Sequence, residues 1–466
     1  MDRPHRYPLR AAVAAIAVGF TICAAAVERI EHVSTQTEFS PLAAGPSPSV
    51  DIDAALDRVA AARSRADADP LALEDALTAL GDAFLNASQY ASAEAAYAEA
   101  LRLAEQHGGL EGERVLAPLL GQGNALAGSG RYEEAVPRLQ RAVGIARVQY
   151  GLFDLYQQDM LKTLAASLTA VGRVPEAQDL MIYRARVAEK TYGEESPEVI
   201  PALCDLGTWF AEVGLSPEAR LTFQMALNIA GSKLSLDDPV IVEPLRGIAR
   251  IYMRRVSYPD SALRPREAPP YYQFARVGPP PPARFDAGGK AIVEARVLNR
   301  EGEHALQRAL RVLEADPRAS TQTRIETLIQ MGDWYQIKKS PREALPHYQH
   351  ASQLIRAAPS LSGSAATALD SPVRVSYPTP EIVAHVLALP PEETQSHYVQ
   401  IEFTVAADGS VSDARVVDHD TRDRYADEIL GAMRVARFRP KFVDGQAVAT
   451  PAMTYREVFW TAKSRE

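Results

Sequence analysis

Cysteine is nearly missing from this chain: Cys23 and Cys204 are the only two among 466 residues, and loss of a leader carrying Cys23 would leave no intrachain disulfide to form. Basic residues are in the minority, with 50 Lys and Arg against 59 Asp and Glu and a formal net charge of −9. That balance argues against a general nucleic-acid binder, which needs a concentrated basic surface, and against non-specific attachment to anionic membranes. Aromatic residues are sparse at 7%, and the one apolar run of note lies at residues 11–27. There is no glycine-rich phosphate loop, no nucleophile elbow and no paired metal motif, so neither an enzyme nor a cofactor is expected. Glu343, His347 and His350 fall at i, i+4 and i+7 of one helix, but no further ligand group accompanies them, and they read as polar positions of a solvated helix face. Asp418-His419-Asp420 reads in the same way as a charged loop.

What the chain does have is length and order. Its 466 residues exceed the size at which a single core stops growing, so several domains or an extended array are expected. Arg3, Arg6 and Arg10 precede the uncharged run from Ala11 to Val27, and Glu28, Arg29 and Glu31 follow it. A basic start, a short apolar centre and the small residues Ala24-Ala25-Ala26 form an export signal, which places the protein in the periplasm. Residues 1–26 are thus a signal peptide, with an uncleaved inner-membrane anchor through residues 11–27 as the alternative. Residues 27–70 read as a spacer rich in Ser, Thr, Pro and Ala, followed by a lead-in helix with Ile52, Leu56 and Val59 on one side.

The dominant feature is a repeat. Ala93, Ala135, Ala177 and Ala219 recur in steps of 42 residues, and Leu77, Leu119, Leu161, Leu203 and Leu245 recur in the same register. Within the first copy Leu77, Leu80, Gly81 and Phe84 follow the i, i+3, i+4, i+7 spacing of an amphipathic helix. The position of Gly81 is small in every copy (Gly123, Ala165, Gly207, Ala249), which predicts close approach of a partner helix. Polar turns such as Gly128-Ser129-Gly130-Arg131 then separate this helix from a second one, which carries the alanine, a large apolar residue four later (Tyr97, Leu139, Met181, Phe223) and Ala100, Ala142, Arg184 or Ala226. Each copy is a helical hairpin.

This pattern resembles the tetratricopeptide repeat, and the 42-residue step, longer than the usual length of about 34, is similar to that of kinesin-light-chain arrays. The resemblance implies a mainly α solenoid over residues 71–256, resumed at 289–358, because hairpins of this kind bury their apolar faces only by stacking. The fifth copy begins at Leu245, Ile248, Ala249 and Tyr252 and is then interrupted at 257–288 by a proline-rich insertion between its two helices. A further copy carries Leu328, Met331, Gly332, Tyr335, Ala344 and Tyr348, and residues 359–369 read as a linker. By resemblance, the concave floor takes Asp82, Asn86, Asn124, Lys162, Cys204, Thr208, Arg246, Arg250 and Arg254. The last three recur at i+4 spacing as a basic strip suited to an acidic or C-terminal carboxylate group, with an ordinary solvated helix face as the alternative.

Beyond residue 370 the period changes to two. Val399, Ile401, Phe403 and Val405 alternate with polar residues, Asp408-Gly409 supplies a turn, and Val411 to Val417 resumes a strand. A helix over Tyr425 to Ala436 and a last strand over Met453 to Trp460 complete a β-β-α-β order. Tyr377-Pro378, Asp408-Gly409, Ala414-Arg415-Val416-Val417, Phe438-Arg439-Pro440 and Asp444-Gly445 together resemble the C-terminal domain of the TonB family over residues 370–466. That resemblance implies a small α+β domain that binds partner segments, outer-membrane transporters among them, by adding a strand to a sheet edge. Met453, Thr454, Tyr455, Arg456 and Val458 of the last strand are the candidate edge, beside Arg246, Arg250, Arg254 and Asn124 of the solenoid floor. The expected protein is a non-enzymatic periplasmic adaptor with protein or peptide partners. The alternative is a TonB-type energy transducer anchored in the inner membrane.

Overall fold

A computed structural model of the chain describes residues 52–65, 69–235, 237–257, 293–358, 361, 363–378, 380 and 394–462. The leader and spacer, and all of the proline-rich stretch except its first residue, lie outside them. The described chain divides into two units, Met1–Trp209 and Phe210–Glu466.

In the first unit the lead-in helix α1 (Ile52–Arg63) packs on α2 (Pro70–Asn86), with Ala55 and Val59 buried against Leu73, Leu77 and Leu80. Asp69 caps α2 by accepting from the Ala72 amide, and Pro70 sits at the first turn, where its missing N–H costs nothing. Then follow α3 (Tyr90–Gly108), α4 (Leu116–Gly128), α5 (Tyr132–Tyr150), α6 (Gln158–Ala170), α7 (Val174–Tyr192) and α8 (Ile200–Glu212), which carries the unit boundary. Helices α2 and α3, α4 and α5, and α6 and α7 pair as A and B members of hairpins.

The 42-residue step has a local cause. The B helices α3, α5 and α7 each run 19 residues, and the chain leaves each through Gly109, Gly151 or Gly193 at positive φ. A 3₁₀ turn (Glu113–Val115, Leu155–Gln157, Pro197–Val199) then leads into the next A helix. Only glycine takes positive φ freely, so these three fix where each B helix stops. The small A-helix residue predicted for close approach is explained in the same way. A Cβ on Gly81 would strike the Tyr97 ring, and one on Gly123 would strike Leu139.

The second unit contains α9 (Ser216–Lys233), α10 (Val242–Ser257), α11 (Val293–Ala315), α12 (Thr321–Ile337) and α13 (Pro341–Ala357). Helices α10 and α11 pack as a hairpin although residues 258–292 intervene. Among the described residues no helix is long and apolar enough to cross a membrane. The stretch expected to be a linker is built into the core instead: Ala365 and Leu369 are buried with Leu328, Tyr348 and Phe442. Apolar side chains on a short connection have no reason to stay in water once a neighbouring domain offers them a surface.

The C-terminal part is a three-stranded antiparallel sheet in the order β3-β2-β7, with β2 (Thr394–Val405) central, β3 (Val411–His419) on one side and β7 (Thr450–Ala462) on the other. Helix α14 (Asp423–Val435) covers one face, where Ile429 and Met433 meet Val399, Ile401, Phe403 and Phe459. The β-β-α-β order is therefore present but incomplete. Short strand β1 (Val373–Ser376) pairs with β4 (Arg437–Arg439), and β5 (Lys441–Val443) makes a hairpin with β6 (Gln446–Val448). Strands of three or four residues are too brief to show alternation in sequence, and this is why they were not expected.

Candidate partner-binding surfaces

Strand β7 is 13 residues long and pairs with β2 along its length, from Thr394↔Ala462 to Val405↔Thr450. Among the described residues no strand pairs with its other side, so it is an edge of the sheet. An edge strand presents backbone N–H and C=O groups to whatever approaches. The pleat sorts the expected residues onto two faces. Met453 and Tyr455 point toward the α14 side and pack on its core, whereas Thr454, Arg456 and Val458 lie on the open face.

The open face is polar and internally tied. The Arg456 guanidinium lies 3.7 Å from the centre of the Tyr398 ring, and the Tyr398 hydroxyl donates to Asp418 at 2.8 Å. That hydrogen bond to a carboxylate raises the Tyr398 pKa. Arg415 on β3 and Glu402 on β2 form an ion pair at 2.6 Å across the strands. Charged residues on an edge-bearing sheet discourage indiscriminate pairing while leaving the backbone available. On the other face, Arg374 lies over both Tyr377 and Tyr455, 4.9 and 4.6 Å from the ring centres, and Tyr455 donates to Glu457 at 2.6 Å. Burial, then the charge of Glu457, push the Tyr455 hydroxyl up to about 12. It stays protonated and serves as a donor. This cluster holds β1 against the inner face of β7.

The solenoid residues are placed differently from one another. Asn124 is half-buried on α4, and Asn86 is exposed at the end of α2. Lys162 on α6 meets Asp205 on α8 at 3.2 Å, and Arg184 on α7 reaches the other oxygen of that aspartate at 2.6 Å. Arg184 stands where neighbouring hairpins have alanine. Its stem is buried, and its backbone carbonyl and Nε exchange hydrogen bonds with Gln158. Cys204 is buried in the core.

Arg246 and Arg250 of the basic strip are already paired. Arg246 is 9% exposed and is held by Glu243 and Glu326, both at 3.0 Å, and by Gln330 at 3.3 Å. Arg250 pairs with Glu243 at 2.5 Å. Two carboxylates and an amide already use these guanidinium donors, so Arg246 fastens α10 to α12. The side chain of Arg254 lies outside the described residues.

One arrangement was missed in the sequence. Asp333 on α12 accepts from the Tyr348 hydroxyl at 2.7 Å and from Arg439 on β4 at 3.0 and 2.6 Å, while Arg439 also donates to the Ala368 carbonyl at 3.1 Å. Burial opposes the charge of Arg439, but the attraction of Asp333 outweighs it and holds the guanidinium pKa above its ordinary value. Phe442 meets the edge of the Tyr348 ring at 6.2 Å, and Gln336 donates to the Asp408 carbonyl at 2.8 Å. The small domain is thereby seated on the last hairpin. The only sequence signal was Arg439 inside the Phe-Arg-Pro motif, which names a residue and not its mate.

His347 stacks on Tyr335 with ring centres 5.7 Å apart, and burial, then the neighbouring His350, lower its pKa. Among the described residues no group of three or more His, Cys, Asp or Glu side chains is disposed to hold a metal ion.

No protein-family model matches the chain, and no curated protein matches it. Solved structures do. BtubC (BKLC) of P. vanneervenii is 17% identical over 58% of this chain and 94% of its own, with a TM-score of 0.41. A kinesin light chain of Podosopora anserina with nearly identical TPR-like repeats is 16% identical over 52% of this chain and 96% of its own, at 0.39. The apo form of RapI is 10% identical over 67% of this chain and 94% of its own, also at 0.39. Likeness this distant says nothing about ligands, since function is carried by particular sites rather than by a fold.

Proposed function

We propose that the protein is a non-enzymatic, exported adaptor of the periplasm, in which a tetratricopeptide-type solenoid carries a small domain resembling the TonB C-terminal domain. The observation that supports this reading best is the edge strand β7, with partners along one side only among the described residues. A partner segment adding a strand there gains main-chain hydrogen bonds with little demand on its sequence, and the side chains of Thr454, Arg456 and Val458 select among candidates. Outer-membrane transporters are one class of partner that suits this mode. The solenoid supplies an independent surface, and its last hairpin is the mount for the domain, since Asp333 and Arg439 tie the two together.

An inner-membrane energy transducer is the second reading, and it requires residues 11–27 to be retained as an anchor. The N-terminus of the protein isolated from cells separates the two: a mature chain starting near Val27 excludes the transducer. The adaptor is tested by recovering envelope partners with the full chain, with a chain lacking residues 370–466, and with Thr454→Pro and Tyr455→Pro. Neighbouring residues of a strand turn their N–H groups to opposite sides, so one of the two prolines blocks the outer edge while sparing the pairing with β2. Partners that survive both the deletion and the proline substitutions would end the edge-pairing reading.

A further inference from the structure

The pair that receives Arg439 has a counterpart in the first hairpin. There Gly81 and Asp82 lie on α2 and Tyr97 on α3, as Gly332 and Asp333 lie on α12 and Tyr348 on α13, and in both cases the tyrosine follows the aspartate by 15 residues. Each ring is pressed against its glycine, where a Cβ would leave no room. Each hydroxyl donates to Oδ1 of its aspartate, at 2.6 Å in the first hairpin and 2.7 Å in the last. The copies between carry Asn124, Ala166, Thr208 and Arg250 at the aspartate position, so the arrangement is particular to these two hairpins.

Their surroundings differ in one respect. Asp333 is buried and both its oxygens are taken by Arg439, whereas Asp82 is exposed. Among the described residues no cationic side chain pairs with Asp82, whose one hydrogen bond is the one from Tyr97. The tyrosine therefore holds one oxygen of an exposed carboxylate. Asn124 stands at the same position of the next A helix, which packs on α2, and Asn86 is one turn along α2 itself. Both offer amide groups suited to the backbone of an extended segment.

We propose that the Asp82–Tyr97 pair is a receptor for an arginine side chain of a protein partner, which enters the solenoid groove and is held as Arg439 is held by Asp333 and Tyr348. Arginine fits better than lysine because two guanidinium nitrogens match two carboxylate oxygens at once. Arg439 of a second copy is not the ligand, since it is buried and engaged with Asp333 in its own chain. The proposal rests on the reading of the solenoid as an adaptor and gives its groove a ligand chemistry.

The test uses the full chain and a fluorescent peptide reproducing residues 436–443, in which the arginine of position 439 is free. Asp82→Asn keeps the size of the side chain and the acceptor for Tyr97 while removing the charge. It should weaken binding about five- to tenfold, as should Arg439→Ala in the peptide, while Asp205→Asn in the chain should leave affinity unchanged. Unaltered melting of Asp82→Asn shows that the fold is kept. Equal binding by Asp82→Asn, or no binding at millimolar peptide, overturns the proposal. Such a failure leaves the edge-pairing test intact, because that test depends on residues 370–466.

Discussion

Arg439 and Asp333 are 106 positions apart in the chain, yet they form a two-pronged ion pair with oxygen–nitrogen distances of 3.0 and 2.6 Å, closed by the hydroxyl of Tyr348. A buried pair of this kind contributes little net stability compared with well-packed apolar side chains, because both charges had to leave water. What it does provide is a fixed orientation. One fork on one carboxylate, with Phe442 against Tyr348 and Gln336 on the Asp408 carbonyl, holds the small domain on the last hairpin in a single pose.

Removing one member of that pair is expected to cost far more than removing both. Arg439→Ala strands a buried carboxylate and should destabilise the second unit by about 3–5 kcal/mol. Arg439→Met combined with Asp333→Leu should recover most of the loss. Denaturant unfolding measures both, and limited proteolysis within residues 359–372 reports release of the domain.

Gly332 faces the ring of Tyr348 so closely that a methyl group has no space. Gly332→Ala should cost about 1–3 kcal/mol by overpacking, even though alanine is the better helix former. Gly144, on α5, has open space where a methyl group would stand, and Gly144→Ala should be neutral or stabilising. Comparing the two melting temperatures separates crowding from helix propensity.

Glu189 on α7 gives a pH dependence of definite sign. Burial, and then the charge of Glu194, raise its pKa to about 7. A carboxyl whose folded pKa lies above its unfolded value favours the fold while protonated, so stability is fullest below about pH 4.5 for this group and is lost as pH rises toward 7. Partial exposure limits the effect to about 1 kcal/mol. Thermal melts of Glu189→Gln between pH 5 and pH 8 should show a correspondingly flatter pH dependence than those of the parent chain.

Arg184→Ala restores the small residue found in neighbouring hairpins, and the cost should be modest, about 1–2 kcal/mol. Asp205, which loses one partner, is still only partly buried and keeps Lys162 at 3.2 Å. Lys162→Met with Arg184→Ala should exceed the sum of the single changes, because the last counter-charge is then gone. A double-mutant cycle in denaturant measures the excess.

Much of the architecture is legible in the sequence. The hairpin register followed from Leu77, Gly81, Ala93 and their copies, because helical packing repeats the same steric demands at the same positions. The C-terminal sheet followed from Val399, Ile401, Phe403 and Val405, because one buried face imposes alternation. Arg246 was not legible in this way: spacing shows that it shares a helix face with Arg250 and Arg254 but not that Glu326 on the opposite helix takes its guanidinium. Residues 359–369 read as a spacer because Pro, Ser and Gly interrupt them, and nothing in that pattern shows that Ala365 and Leu369 have a surface to cover.

The sequence by itself determined the period of 42, the small residue at the Gly81 position of each A helix, the change from helical to alternating pattern after residue 370, and the identity of the last strand. All of these are set by interactions between residues a few positions apart or by repetition of one unit. Tertiary structure alone decided that Arg246 closes on Glu326, that Arg184 and Lys162 share Asp205, and that Arg439 closes on Asp333 and Tyr348 while no cationic side chain among the described residues pairs with Asp82. Each of those depends on which distant segment arrives at a given face. Charge and hydrogen-bonding capacity are visible in a sequence, but the choice of partner is made only when folding brings the two surfaces together.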